Sequence, residues 1–514
     1  MFSMLQIQGT LQASAKTTEP EADPNRRSPV VLQPLDACER EQRMIQAYLP
    51  FLPLKQSATE GLTLSINVPN VIISVEKLPV IVFVHGGGFA NGSAYHPTYD
   101  LTRFTQLSVD MDMAVIAVGV NYRVGIPGFL NSEEMRSLGY EANNALDDQR
   151  LALRWIKKHI AGFGGDSERV TFMGQSAGGG KSKEPLFQQY VSMSGTCFLR
   201  PRSAAAVQTA YDTLVRDLGF ADFNPQEQMD RILEDNEQGK LRGLSRKYNL
   251  GPTVDGKIVP EALDFRSLVE PAQALHSLPG LRYCRMLLIG DSGFDGMAFS
   301  SRLAGVVSIL PKALVDSLHK QLDPLDQNFV PFLVSEYGLD VEASSNTEES
   351  TRPVLNLGND ILYAIPAITL AKLWSGSTVE GTRSFLYHFN CPNPWPGPWK
   401  GEASHVLDVA LALQNHREQL NTGQRQCGER FGKDLIRFVN GLEVWQEYEQ
   451  STHPTSMVYT ATIDGQEDDS TIAYDANSKH IGRRTAMQQM GELVHDKVMH
   501  SWEASMGGTR TSDA

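Results

Sequence analysis

Gly174-Gln-Ser-Ala-Gly178 narrows what this chain can fold into more than any other stretch. It has the form Gly-x-Ser-x-Gly. Glycines on both sides of a serine suit a sharp turn from a strand into a helix. Larger side chains would clash there, and the serine is pushed to the tip with its hydroxyl exposed. The preceding residues, Arg169-Val-Thr-Phe-Met173, form a short strand candidate. A chain with 43 glycines can also produce this spelling by chance, so on its own it leaves an ordinary glycine-rich turn as the lesser alternative.

The wider pattern is that of strands alternating with helices. Val80 to Val84 and Ala114 to Val120 are continuous apolar runs, which suit strands buried on both faces. Leu62 to Val68 alternates apolar and polar residues, as a half-buried strand should. Tyr190 to Ser194, Arg285 to Ile289 and Ser384 to Phe389 are further strand candidates. A helix is expected over Asn143 to Ile160, with Leu146, Leu151, Leu153, Trp155 and Ile156 on its apolar stripe and Gly162 and Gly164-Gly165 as its stop. Thr98 to Leu107 is a second helix candidate, and Asn356 to Trp374 is the longest periodic stretch. Arg430 to Asn440 and Ile481 to Trp502 are expected as helices flanking an acidic loop around Glu467. Such alternation implies right-handed crossovers and a mostly parallel sheet flanked by helices. Residues 1–55, rich in Pro, Ser and charge near Thr17 to Ser28, are expected to be a mobile arm, and residues 56–505 a single domain with large helical insertions.

Composition excludes several roles. A net charge of -14 argues against a nucleic-acid surface or attraction to anionic lipid. The runs Val80 to Val84 and Met113 to Val118 are far too short to span a membrane. The five cysteines are scattered, with no metal-ligand spacing, and the start shows no secretory pattern. A reduced, cytoplasmic protein is the expectation.

A serine at such a turn becomes a nucleophile only with a base, an orienting acid and hydrogen-bond donors for an oxyanion. The donors have a candidate in His85-Gly-Gly-Gly-Phe89, directly after the buried run ending at Val84. Glycines let such a loop approach a substrate closely and aim its amides inward.

These two motifs are joined by Asn121-Tyr-Arg-Val-Gly125, by Asn144 to Trp155, by Phe163-Gly-Gly-Asp166 and by Asn440-Gly-Leu-Glu443. From about Glu60 to Trp502 the chain resembles the type-B carboxylesterase/lipase family, the cholinesterase-like α/β-hydrolases. The resemblance implies an α/β-hydrolase fold and carries roles onto specific residues. Ser176 would be the nucleophile. Gly87, Gly88 and Ala177 would supply the oxyanion amides. Asp295, in Gly290 to Phe299, would be the acid, and His405, in Gly401 to His405, the base. Asp291 is a rival for the acid, and His416, His388 and His319 are rivals for the base. His85 is read as shaping its loop. Trp395 and Trp399 would either line a substrate pocket or stiffen a surface loop.

The chain departs from the family in four places. The N-terminal arm lacks the family's usual opening strands. The acid is Asp rather than the usual Glu. Gly61 replaces a cysteine, so the family's usual disulfides are not expected. After Gly179 the crossover runs through Gly-Lys-Ser-Lys-Glu-Pro-Leu-Phe187, about ten residues short of the family's helix. The function implied is a serine carboxylic-ester hydrolase acting on a small or medium apolar ester or lactone, with no cofactor or metal. The partner expected is a small-molecule ester, with no nucleic acid and no membrane span. A non-catalytic binding protein on the same fold and an acyltransferase are the alternatives.

Overall fold

The computed structural model describes residues 5–10, 28–70, 76–178, 184–199, 201–244, 247–248, 250–303, 310–339, 348–448, 454–462, 464–474 and 482–507. Among the described residues ten strands form: β1 (Leu5–Thr10), β2 (Thr63–Val68), β3 (Leu78–Val84), β4 (Ile116–Val120), β5 (Gly165–Gln175), β6 (Gln189–Met193), β7 (Met286–Ser292), β8 (Arg383–Phe389), β9 (Thr455–Tyr459) and β10 (Thr471–Tyr474). They form one sheet in the order β1-β2-β4-β3-β5-β6-β7-β8-β9-β10. From β4 to β9 every neighbouring pair is parallel, and the edge pairs are antiparallel.

The apolar runs explain why this sheet is central. In β3, Val80, Val82 and Val84 pack into the core on one face, and Ile81 and Phe83 into the core on the other. In β7, Leu287 and Ile289 go one way, Met286 and Leu288 the other. A strand apolar at every position needs a layer on each side, and helices supply both. The helix Asn144–His159 presents Leu146, Leu153 and Ile156 to the first core, with Trp155 half-buried against it, whereas Leu151, expected on the same stripe, faces outward. The helix Thr422–Val439 presents Phe431, Leu435 and Phe438 to the second. One helical stretch, Thr351–Ser375, is long and apolar enough to cross a membrane by length and composition. It is buried in this fold and interrupted by a π turn at Asp360–Ala364.

Two regions differ from the expectations. The expected arm joins the fold: Leu5–Thr10, where no opening strand is expected, forms β1 against β2, and residues 28–55 pack onto the domain, with helix α1 (Ala37–Ile45) burying Ala37, Cys38, Glu41, Gln42 and Ile45. Beyond residue 440 the acidic loop is flanked by β9 and β10 rather than lying simply between two helices, and the final helical pattern breaks into Arg484–Gln488 and Glu492–Gly507 around Gly491.

The strand order places the site. The chain crosses from β3 to β4 on one side, then to β5 on the other side of β3. Winding reverses at β3, so a crevice opens at the carboxyl ends of β3 and β5. His85-Gly-Gly-Gly-Phe89 and Ser176 follow directly from those two ends.

Candidate active site

β5 ends at Gln175 and the chain turns at Ser176, whose φ is 53°. A left-handed conformation costs a non-glycine residue about 1–3 kcal/mol and persists only where the surroundings impose it. Here they do. A Cβ on Gly178 would lie 2.3 Å from the carbonyl oxygen of Val84, and one on Gly195 would lie 2.2 Å from that of Ser176. A single short turn, Ser176–Gly178, follows. The next residues of the shortened crossover, 179–183, lie outside the described residues. From Glu184 the chain is anchored again: Glu184 pairs with Arg154, and Phe187 stacks on Phe172 at 5.3 Å.

The glycine loop passes directly over the serine. A Cβ on Gly86 would come 2.8 Å from the Ser176 Cβ. Gly87 (φ 104°), Gly88 (φ 61°) and Phe89 (φ 62°) are all left-handed, so the loop curls tightly. Ala90 and Asn91 N–H groups donate to the Gly87 carbonyl at 3.2 and 3.3 Å. The other shared motifs hold this loop from behind. The Tyr122 hydroxyl donates to the His85 carbonyl at 2.7 Å, and Asn121 Oδ1 accepts from Ser93 Oγ and the Ala94 N–H. Arg123 forms a two-pronged bond to Asp148, at 2.7 and 2.6 Å, tying that segment to the helix Asn144–His159.

His85 is fully buried, stacked on Tyr122 at 4.5 Å, and its Nε2 has no partner among the described residues. Burial pushes its imidazole down to about 4, against the opposing pull of Glu41. It is therefore neutral at pH 7, a loop-shaping residue as expected. A histidine whose folded value is depressed lends stability above its unfolded value near 6.5, and that stability drains away as pH falls toward 4. Replacing it removes this liability. His85→Gln is expected to gain about 2 kcal/mol on wild type between pH 7 and pH 5, read as the change in the stability difference from urea unfolding at the two pH values. Comparing the two proteins is essential, because burial raises Asp408 and Asp434 to about 6, which works in the opposite sense. An unchanged difference would show that His85 is not the buried neutral group described.

The candidate acid and base meet. His405 Nδ1 lies 2.6 Å from Asp295 Oδ1, with Asp295 fully buried and His405 nearly so. Asp295 Oδ2 accepts the Ser292 N–H at 2.7 Å. Burial pushes the Asp295 carboxyl up, while its bond to His405 pulls it down. The loop carrying the acid is braced by Asn359, whose Oδ1 accepts the Gly296 N–H at 3.1 Å. The ring of Tyr363, on the π turn, packs 5.5 Å from that of His405. Among the described residues no hydrogen bond joins Ser176 to His405. Gln175 Nε2 lies 3.5 Å from His405 Nε2, which puts this ring nitrogen against the residue before Ser176; with the Nδ1 proton given to Asp295, Nε2 is the acceptor. In ligand-free sites the serine–imidazole bond is commonly loose.

The rivals are placed elsewhere. Asp291 bonds His388 Nδ1 at 2.5 Å and Arg484 Nε at 2.8 Å, all buried. Burial raises its carboxyl, but Arg484 and His388 outweigh that and hold it below the usual range. His416 is buried against Trp395, and His319 is an exposed helix residue beside Asp323. Trp395 is thus core. Trp399 packs on Phe294, the neighbour of the acid, at 5.6 Å. Sequence reasoning missed Gln175, read only as the variable position of its motif. It also missed Asp408, fully buried three residues after His405, which accepts from Ser194 Oγ and the Tyr387 hydroxyl at 3.1 and 3.0 Å. Burial and the charge of Asp295 raise it to about 6.

A strained serine after a central strand, a glycine loop over it and a buried acid–imidazole pair at the same sheet edge define an α/β-hydrolase site of the serine type. The family model described as "Carboxylesterase family" matches residues 20–471, and the chain belongs to that family. It is 25% identical to Carboxylesterase 1C of Mus musculus over 435 residues, 78% of this chain and 73% of that protein. It is 33% identical to Esterase cest-33 of Caenorhabditis elegans over 379 residues, 68% of this chain and 64% of that one. Against the Secreted triacylglycerol lipase LIP1 of Gibberella zeae, identity is 32% over 262 residues, covering 46% of this chain and 43% of that protein. Among solved structures, a thermophilic PNB esterase superposes with a TM-score of 0.64 at 20% identity, covering 89% of this chain and 88% of that one. That likeness shows the fold.

Proposed function

We propose that the chain hydrolyses a small or medium apolar carboxylic ester or lactone through an acyl-enzyme on Ser176. The observation that carries this reading is the buried Asp295–His405 pair, with Nε2 against the side chain of Gln175, the residue before Ser176. His405 takes the Ser176 proton as Oγ attacks the carbonyl carbon. Asp295 fixes the imidazole tautomer and stabilises its cation. The N–H groups of Gly87, Gly88 and Ala177 hold the oxyanion, each such donor contributing roughly 3 kcal/mol to lowering the barrier. His405 returns the proton to the leaving alcohol, and water repeats the sequence to free the acid. Every step is supplied by this chain's own groups.

The comparisons lend no support to a non-catalytic binding role. Hydrolysis and acyl transfer share the acyl-enzyme and differ in what attacks it. The expected outcome with p-nitrophenyl acetate and butyrate is release of the free acid, with little ester product when ethanol is added. Ester product replacing the acid as ethanol rises would point to transfer instead.

A further inference from the structure

The segment around α1 touches both loops on which the proposed mechanism depends. At one end it holds the glycine loop. Gln33 Oε1 accepts the Gly92 N–H at 2.7 Å. Glu41 Oε1 accepts from Asn91 Nδ2 at 3.4 Å, and Glu41 Oε2 pairs with His96 Nδ1 at 2.5 Å. Asn91 is the residue whose own N–H donates to the Gly87 carbonyl. Gln33, Glu41, Asn91 and His96 are all buried. A buried carboxylate is costly unless paired, and each partner that pairs this one lies in or just after the glycine loop.

At the other end the segment holds the loop that delivers the base. Gln46 Oε1 accepts the Trp399 N–H at 2.8 Å, and Gln46 Nε2 donates to the Trp395 carbonyl at 3.3 Å. The fit is close: a Cβ on Gly397 would lie 2.1 Å from Gln46 Oε1. The Ile45 carbonyl accepts from Asn393 Nδ2 at 2.9 Å, and that nitrogen also reaches Ser404 Oγ at 3.2 Å, one residue before His405. Between Glu41 and Gln46 lies one stretch of helix, about 7–8 Å of rise.

We propose that α1 and its flanks clamp the two loops at one spacing about Ser176, with Glu41 and Gln46 as positioning residues for the oxyanion amides and for His405. The clamp acts on groups that engage the transition state more than the bound ester, so its loss should lower kcat and leave KM in place. It rests on the proposed roles of Ser176 and His405.

The test is steady-state hydrolysis of p-nitrophenyl butyrate by Glu41→Ala, Glu41→Gln, Gln46→Ala and Ser176→Ala in the full chain, with thermal melts of each. Misplacing catalytic groups by a fraction of an ångström should cost Glu41→Ala and Gln46→Ala about tenfold in kcat with KM within about twofold. Glu41→Gln keeps an oxygen for Asn91 and should recover most of that loss. If Glu41→Ala fails to fold, Glu41→Gln and Gln46→Ala decide. Wild-type kcat in Gln46→Ala, a loss that appears only in KM, or a Glu41→Gln variant no better than alanine overturns the clamp. Should Ser176→Ala turn over like wild type, the reading of the site fails and the clamp fails with it. Should Ser176→Ala be inactive while the clamp variants match wild type, only the clamp falls.

Discussion

Ser176→Ala is expected to abolish ester hydrolysis, with kcat falling by roughly 10⁶-fold, because losing the nucleophile of a triad costs about as much as losing all three members. The fold should survive. Ser176 sits at φ 53°, and alanine bears the same strain there. No hydrogen bond of the hydroxyl holds the elbow among the described residues. The elbow is instead fixed by the close passes at Gly86, Gly178 and Gly195, which the substitution leaves untouched. Assay with p-nitrophenyl butyrate beside a thermal melt checks both halves. Turnover within a few fold of wild type would mean that another group attacks the ester.

Asp295→Asn is expected to lower kcat about 10⁴-fold while leaving KM nearly unchanged. Asp295 accepts the Nδ1 proton of His405 at 2.6 Å and the Ser292 N–H at 2.7 Å. An asparagine oxygen can take only one of these, and its NH₂ facing the ring favours the tautomer with the proton on Nε2. That proton blocks the lone pair that must accept from the serine. Asp291→Asn is the matched control, four positions away and equally buried. Removing its charge takes from buried Arg484 the carboxylate it hydrogen-bonds, leaving only the more distant charges of Asp360 and Asp295, and should destabilise the fold by about 3 kcal/mol. The folded fraction should keep its kcat. The two variants are separated by urea unfolding and by kcat per folded molecule. Equal losses of kcat in both would remove the distinction between the Asp295–His405 and Asp291–His388 pairs.

Much of the site was legible because its chemistry forces unusual local sequence. Gly86, Gly87 and Gly178 answer to close approaches that a Cβ would block, and Gly88 to a left-handed turn, and such positions leave a spelling in the chain. The central strands were legible because Val80 to Val84 is apolar at every position, which only a doubly covered strand tolerates. Other parts left no comparable trace. β9 reads Thr-Ser-Met-Val-Tyr, and its Thr455 and Ser456 are fully buried, so its place was fixed by the sheet beside it rather than by its own pattern. α1 carries Glu41 and Gln42 on its buried face, where sequence periodicity expects apolar residues. Polar burial of this kind is satisfied by distant partners such as His96, and sequence spacing does not reveal them. Gln175 and Asp408 were hidden for the same reason. Their roles depend on groups more than two hundred residues away.

The most direct test of the central claim is covalent labelling of the folded protein with a fluorophosphonate, followed by peptide mapping. The reagent reacts with a serine only when base and oxyanion donors are assembled around it. One adduct is expected, on the peptide containing Ser176, with labelling slowed by several orders of magnitude in His405→Ala. An adduct on a different serine, or no adduct on protein shown to be folded, would contradict it.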